Sequence, residues 1–297
     1  MVIAALILLS FILVLIVPAT AHAWGPATHL EIGQTILNNP SVVTSAIRDL
    51  ILKFPQDFLY GTISADIVMG KNMVEELKHC HNWKVGFRLL KKAEAPSKKA
   101  FAYGYLSHLA ADTIAHNYFI PEMMIRTFQT RILKHLYWEL RFDALAQKGI
   151  WLLPRKMVKG IHRDNDILLD SIIEDSPLSF KTNKKIFSSL LILNRMERWH
   201  RMLQHMSNAS RWKLDHGVRG KFFDSSLTAV ADLLSNQHLA ECVKRDPTGK
   251  RSLEAAKITR KKLKIYRKQK GNWEEALEEA LRRVSMEPRD RSGRAAS

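Results

Sequence analysis

Between residues 98 and 119 the chain reads KKAFAYGYLSHLAADTIAHNYF, and its apolar residues return at intervals of three and four. That period lines them along one side of an α-helix, whereas a strand would alternate every second residue. The same period runs through SVVTSAIRDLILKF (41–54), RTFQTRILKHLYWELRFDALAQ (126–147) and NKKIFSSLLILNRMERWHRMLQHM (183–206). Alternating segments closed by Gly or Asn-Gly turns, the mark of hairpins, are scarce. The expected fold class is therefore all-α. Breaks are expected at Gly160 and HRDND (162–166), read as a loop, and at SPLSF (176–180), where Pro177 disfavours helix before it.

Residues 1–17, MVIAALILLSFILVLIV, are apolar except Ser10; Pro18 ends the run and Ala21-His22-Ala23 comes next. This is the layout of an export signal cleaved after Ala23, so the chain is expected to be secreted, periplasmic or membrane-associated. No Lys or Arg precedes the run, which keeps an uncleaved anchor as the alternative. The chain beyond Ala23 is long enough to bury a full core without staples. Two cysteines, Cys80 and Cys242, do not make a disulfide framework. The expected organisation is a signal peptide over 1–23, a helical domain over 24–243, and a basic helical appendage with a disordered tail over 244–297.

The net charge of +17 and a pI near 9.9 favour anionic partners, lipid headgroups or nucleic acid. Much of the charge lies in KRDPTGKRSLEAAKITRKKLKIYRKQK (244–270), which reads either as a solvated helix or as a binding surface. None of the candidate metal ligands falls in it, so the metal set is expected to be independent of this segment.

The histidines concentrate the chemistry in the first half. In SHLAADTIAH, His108, Asp112 and His116 stand at i, i+4 and i+8 and project from one side of a helix. His135 and Glu139 repeat the i, i+4 spacing in KHLYWE, while His29, Asp66, His79 and His81 lie upstream. One such helix is commonly a surface polar pair. Here the flanking residues Leu106, Leu109, Ala110, Ile114 and Ala115 are apolar, so the polar groups are expected to be buried, where leaving them unpaired is costly. Imidazole and carboxylate are ligands for zinc, and a metal cluster removes that cost.

Cleavage after Ala23 would free the α-amino group of Trp24, which can chelate a metal together with its own carbonyl. His29 is close enough along the chain to join it. The alternative is a buried aromatic behind an ordinary cleavage site.

In order, WGPATHLEIG, GTISADI, HCHNW, AYGYLSHLAADTIAH and KHLYWE resemble the ligand motifs of the zinc-dependent phospholipase C family. The first and fourth also resemble the N-terminal domain of glycosylphosphatidylinositol-specific phospholipase D. The resemblance covers about residues 24–145 and implies a multi-helix phospholipase C/nuclease-like fold holding three Zn²⁺ ions. It implies that Trp24 and His29 bind one zinc, with Asp112 bridging to a second held also by Asp66, His108 and one histidine of HCHNW. His116, His135 and Glu139 would hold the third, and Asp66 is also a candidate general base. Both His79 and His81 stay open as the ligand, His81 being favoured by the aromatic-rich segment after it. His116 is four residues beyond Asp112, as in the phospholipase D-like members, where secreted bacterial phospholipases C use six. Residues beyond about 150 match no motif. His162, His200, His205, His216 and His238 are read as surface or packing residues, and Cys80 as a small buried one.

The implied activity is hydrolysis of a phospholipid phosphodiester, giving diacylglycerol and a phosphorylated headgroup, with the zinc ions binding phosphate and activating water. Single-strand-specific zinc nucleases share the implied fold, but KHLYWE carries Glu where they carry Asp, and their Gly-Gly-Asn segment is missing. A third alternative is a non-catalytic protein that binds membrane or nucleic acid and uses zinc only for structure. Structural zinc sites are usually closed by four protein ligands. The carboxylate-bridged set implied here leaves room for water, which favours an enzyme, with an anionic membrane surface as a partner ahead of nucleic acid.

Overall fold

The computed structural model describes residues 24–67, 80–130, 135–153, 157, 162–173, 178–194, 212–269 and 271–285. These residues form helices and no strand, as the apolar period requires. The expected export signal (1–23), His79, His200, His205 and the tail beyond residue 285 lie outside them. Among the described residues no helix is long and apolar enough to cross a membrane.

The central element is α5 (Pro96–Ile114), with α1 (Pro26–Asn38), α3 (Pro55–Ser64), α4 (Trp83–Lys92) and α10 (His216–Asn236) packed around it. A helix apolar on every side belongs inside a core. In α5 the run from Ala100 to Thr113 is buried except Tyr103, and it includes His108 and Asp112. By contrast α4 is two-faced, burying Val85, Gly86 and Leu89 while Lys84, Arg88, Lys91 and Lys92 face solvent.

The crossing of α3 and α5 decides where the site forms. A Cβ on Gly61 would stand 2.1 Å from the Phe101 carbonyl oxygen, and one on Gly104 would stand 2.0 Å from that of Phe58. Only two glycines let the backbones approach this closely. The contact brings the end of α3, with Thr62 and Asp66, against His108.

Beyond Ile114 the helix continues through a π turn (Ala115–Phe119) into α6 (Ile120–Arg126). Pro121 has no N–H to donate back into the helix, and the wider turn before it absorbs the lost bond. His116 lies within this turn and groups with His135 and Glu139 rather than with His108 and Asp112.

Three expectations require correction. The helix expected over 126–147 is not continuous. α6 ends at Arg126, where Thr127 (φ −104°, ψ 28°) leaves helical geometry and Phe128 N donates to the Ile125 carbonyl at 3.1 Å; the next described helix, α7, spans His135–Asp143. HRDND is not a loop. It begins α8 (Arg163–Asp170), where Asp164 and Asp166 suit the positive helix start. Its polar side chains serve a helix contact: Tyr60 donates to Asp166 at 2.6 Å and Asn165 to Asp57 at 2.6 Å. His162 stacks on Tyr60 at 3.9 Å, a packing residue.

The third correction concerns the basic segment. Two short 3₁₀ turns after α10 lead into α11 (Lys250–Lys268) and α12 (Trp273–Val284), and both helices pack on α6. Ala256 and Leu263 of α11 and Ala280 of α12 are buried there. Arg260 and Lys264 donate to the Thr130 carbonyl at 3.0 and 3.3 Å. The loop entering α11 touches a candidate ligand directly, so the metal set is not independent of this segment.

Candidate metal centre

Burial makes the polar residues of α5 informative. His108, Asp112 and His116 are fully buried, and His29, His81, Asp66 and Glu139 nearly so. Their atoms gather into three groups: His29 with Asp66 and His108, His81 with His108 and Asp112, and His116 with His135 and Glu139.

Asp112 sits at the middle of the first two. Its Oδ1 lies 3.2 Å from His29 Nε2, and its Oδ2 lies 3.2 Å from His108 Nε2 and 3.3 Å from His81 Nε2. His81 Nε2 is 3.0 Å from His108 Nε2 and 3.2 Å from Asp66 Oδ1. Ligand atoms about 2.0 Å from a tetrahedral zinc stand about 3.3 Å from one another. Neither Asp112 oxygen nor His29 Nε2 makes an aligned hydrogen bond, although all three are buried. Atoms that converge at ligand spacing without aligned hydrogen bonds fit a cation between them. In the third group His135 Nε2 is 2.8 Å from Glu139 Oε1.

Backbone carbonyls orient the rings. His108 Nδ1 is 2.9 Å from the Thr62 carbonyl, reached through the glycine crossing. His116 Nδ1 is 2.6 Å from the Pro247 carbonyl, 131 residues away. A carbonyl can only accept, so each Nδ1 carries a proton and Nε2 is the nitrogen left to face a metal. Burial and the nearby charge of His108 lower the pKa of His29, keeping it neutral and ready to ligate. Burial opposes charge on His108 and Asp112 as well, but their mutual attraction outweighs it. His108 is raised and Asp112 held well below the usual carboxylate range. Metal binding would therefore displace a proton from His108.

The ring of Trp24 is buried against Phe142 and Phe119, with centroids at 3.9 and 4.9 Å. Its Nε1 donates to the carbonyl of Ala111, the residue before Asp112, at 3.1 Å. This anchors the start of α1 beside the first group. Cys80 is buried with Sγ 3.3 Å from His81 Nδ1, on the far side of the ring from the ligand nitrogen. His81 lies with Asp66, His108 and Asp112, while His79 is outside the described residues.

Sequence reasoning missed Asp143, which caps α1 from another helix. Its carboxylate accepts from Ala27 N at 3.2 Å, Thr28 N at 2.8 Å and Thr28 Oγ1 at 2.7 Å. Burial pushes its pKa up to about 6 against the pull of those hydrogen bonds. It went unseen because a cap is normally sought beside the helix start, and Gly25 there supplies no side chain. Asp143→Ala would leave three buried donors without an acceptor, costing about 2 kcal/mol. We expect a lower Tm and weaker zinc binding through displaced His29, with Asp143→Asn milder in both calorimetry and zinc titration.

The sequence model of one family, described as zinc dependent phospholipase C, matches residues 28–184, a little over half of the chain. The match spans every candidate ligand except Trp24. No curated protein and no solved structure matches the chain significantly.

Proposed function

Because the chain belongs to the zinc-dependent phospholipase C family, we propose that it is an exported phosphodiesterase hydrolysing phospholipids at a three-zinc site. The observation that supports this most is Asp112, whose two oxygens face three imidazoles at 3.2–3.3 Å inside a helical core. In this reading Trp24 (through its α-amino group and carbonyl) and His29 hold one ion with Asp112, and Asp66, His81, His108 and Asp112 hold the second. His116, His135 and Glu139 hold the third. Zinc bound there supplies positive charge for the phosphate oxygens and lowers the pKa of water.

The chain's own residues contribute orientation and proton transfer. The Thr62 and Pro247 carbonyls fix the tautomers of His108 and His116, so that no ring must turn when substrate binds. In this reading Asp66, nearly buried and 3.2 Å from His81, is also the base that takes a proton from attacking water.

The test is zinc analysis of the purified protein together with assays on short-chain phosphatidylcholine and single-stranded DNA. About three zinc ions per chain and release of phosphorylated headgroup are expected. Cleavage of DNA with no action on lipid would replace the substrate, and stoichiometric zinc without hydrolysis of either would make the metals structural. Adding one residue before Trp24 should weaken one zinc and reduce turnover sharply; full occupancy in that protein would remove the amine from the ligand set.

A further inference from the structure

The outward face of α11 combines features that the metal centre does not use. Glu254, Lys257, Ile258, Lys261, Ile265 and Lys268 succeed one another at steps that keep them on one side of the helix. All are exposed, and the two isoleucines, seven residues apart, leave 47 % and 53 % of their surface in water. Glu254 pairs with Lys257 at 3.1 Å, and with Lys261 and Lys268 the face keeps a net positive charge around two apolar side chains about two turns apart.

The acidic residues of α12 do not cancel this charge. The groove between the two helices is lined on α11 by Ala255, Thr259, Lys262 and Tyr266, about a quarter of a turn away from the isoleucine row. The inner side is fixed to the core through Leu263 and through Arg260 and Lys264 on the Thr130 carbonyl. The outer face therefore belongs to a rigid element and has a defined direction.

We propose that this face docks the protein on an anionic lipid bilayer. Ile258 and Ile265 enter the boundary between headgroups and acyl chains, while Lys257, Lys261 and Lys268 meet lipid phosphates. Cations flanking exposed aliphatic side chains on one helix face are what an interfacial helix needs. A polynucleotide would use the cations and leave the isoleucines in water, so the apolar pair favours lipid.

The position of α11 gives the docking a consequence. The turn before its first residue lies on His116. Gly249 is buried against that residue, Pro247 accepts from its ring, and Asn117 donates to the Asp246 carbonyl at 2.9 Å. A membrane held by α11 is thus attached at one end of the helix to the third ligand group. The inference deepens the phospholipid reading and rests on it for its purpose, but binding is measured without turnover.

The experiment is co-sedimentation of the protein beginning at Trp24 with vesicles of phosphatidylcholine, alone or mixed with phosphatidylglycerol, and separately its binding to single-stranded DNA, with activity followed on a soluble short-chain substrate. Wild type should bind the mixed vesicles more tightly. Each cation is worth about fivefold, so Lys257→Gln/Lys261→Gln/Lys268→Gln should weaken binding to mixed vesicles on the order of a hundredfold. Ile258→Ser/Ile265→Ser should weaken it roughly tenfold and leave the salt dependence intact. Both variants should keep wild-type activity on the soluble substrate. Equal wild-type binding to the two vesicle types would overturn the proposal. So would an isoleucine variant that binds like wild type while the glutamine variant loses vesicles and single-stranded DNA alike. Absence of lipid hydrolysis with vesicle binding intact would count against the phospholipase reading alone.

Discussion

Replacing Asp112 by Asn is expected to empty the first two ligand groups and abolish most hydrolysis. The carboxylate is fully buried and meets His29 through one oxygen and His81 and His108 through the other. An amide has a single acceptor oxygen, so one group would face an NH₂ that cannot ligate. The loss of charge would also leave two cations without the anion they share. The activity loss should exceed the roughly 10- to 100-fold typical of removing a residue that only supports a ligand. His216→Ala, a change at an exposed histidine, is the control. Zinc analysis of the two purified variants gives the comparison. Wild-type zinc content in Asp112→Asn would remove the bridging assignment.

Gly249→Val should strike the third group and spare the other two. Gly249 has φ +56°, a left-handed conformation that costs an L-residue about 1–2 kcal/mol. A Cβ there would also lie 2.5 Å from both the Cβ and the carbonyl oxygen of His116. The helix backbone cannot yield easily, so the loop must move, taking the Pro247 carbonyl away from His116 Nδ1. Loss of that acceptor should weaken one zinc by about 10- to 100-fold. Competition with a chelator should show one loosened ion beside two tight ones. Gly220→Ala, where a Cβ meets nothing within 4 Å, should leave all three unchanged. Three ions of unaltered affinity in Gly249→Val would show that the loop does not orient His116.

The helical class and the i, i+4 ligand pairs are legible in the linear chain, because both depend on a short repeat within one segment. His108, Asp112, His135 and Glu139 stand out in this way, whereas Trp24 stands out only by following the expected cleavage point. The break at Thr127 does not, because apolar spacing continues across it while the backbone there leaves helical geometry. HRDND resembles a loop when its polar residues are assigned to water; in the folded chain they bind Tyr60 and Asp57.

Tertiary structure alone decided which atoms meet. The paired glycines at 61 and 104 allow the carbonyl of Thr62 to reach His108, 46 residues away. His116, inside the π turn after Ile114, groups with His135 and Glu139 and not with Asp112, although their spacing alone would put the two on one face. The chain after Val243, without a ligand of its own, returns to hold His116 through Pro247 and Gly249. Helical periodicity fixes the direction of a side chain relative to its own axis. The distances between axes are set by where small residues permit contact and where buried polar groups must find partners, and those partners can lie anywhere along the chain.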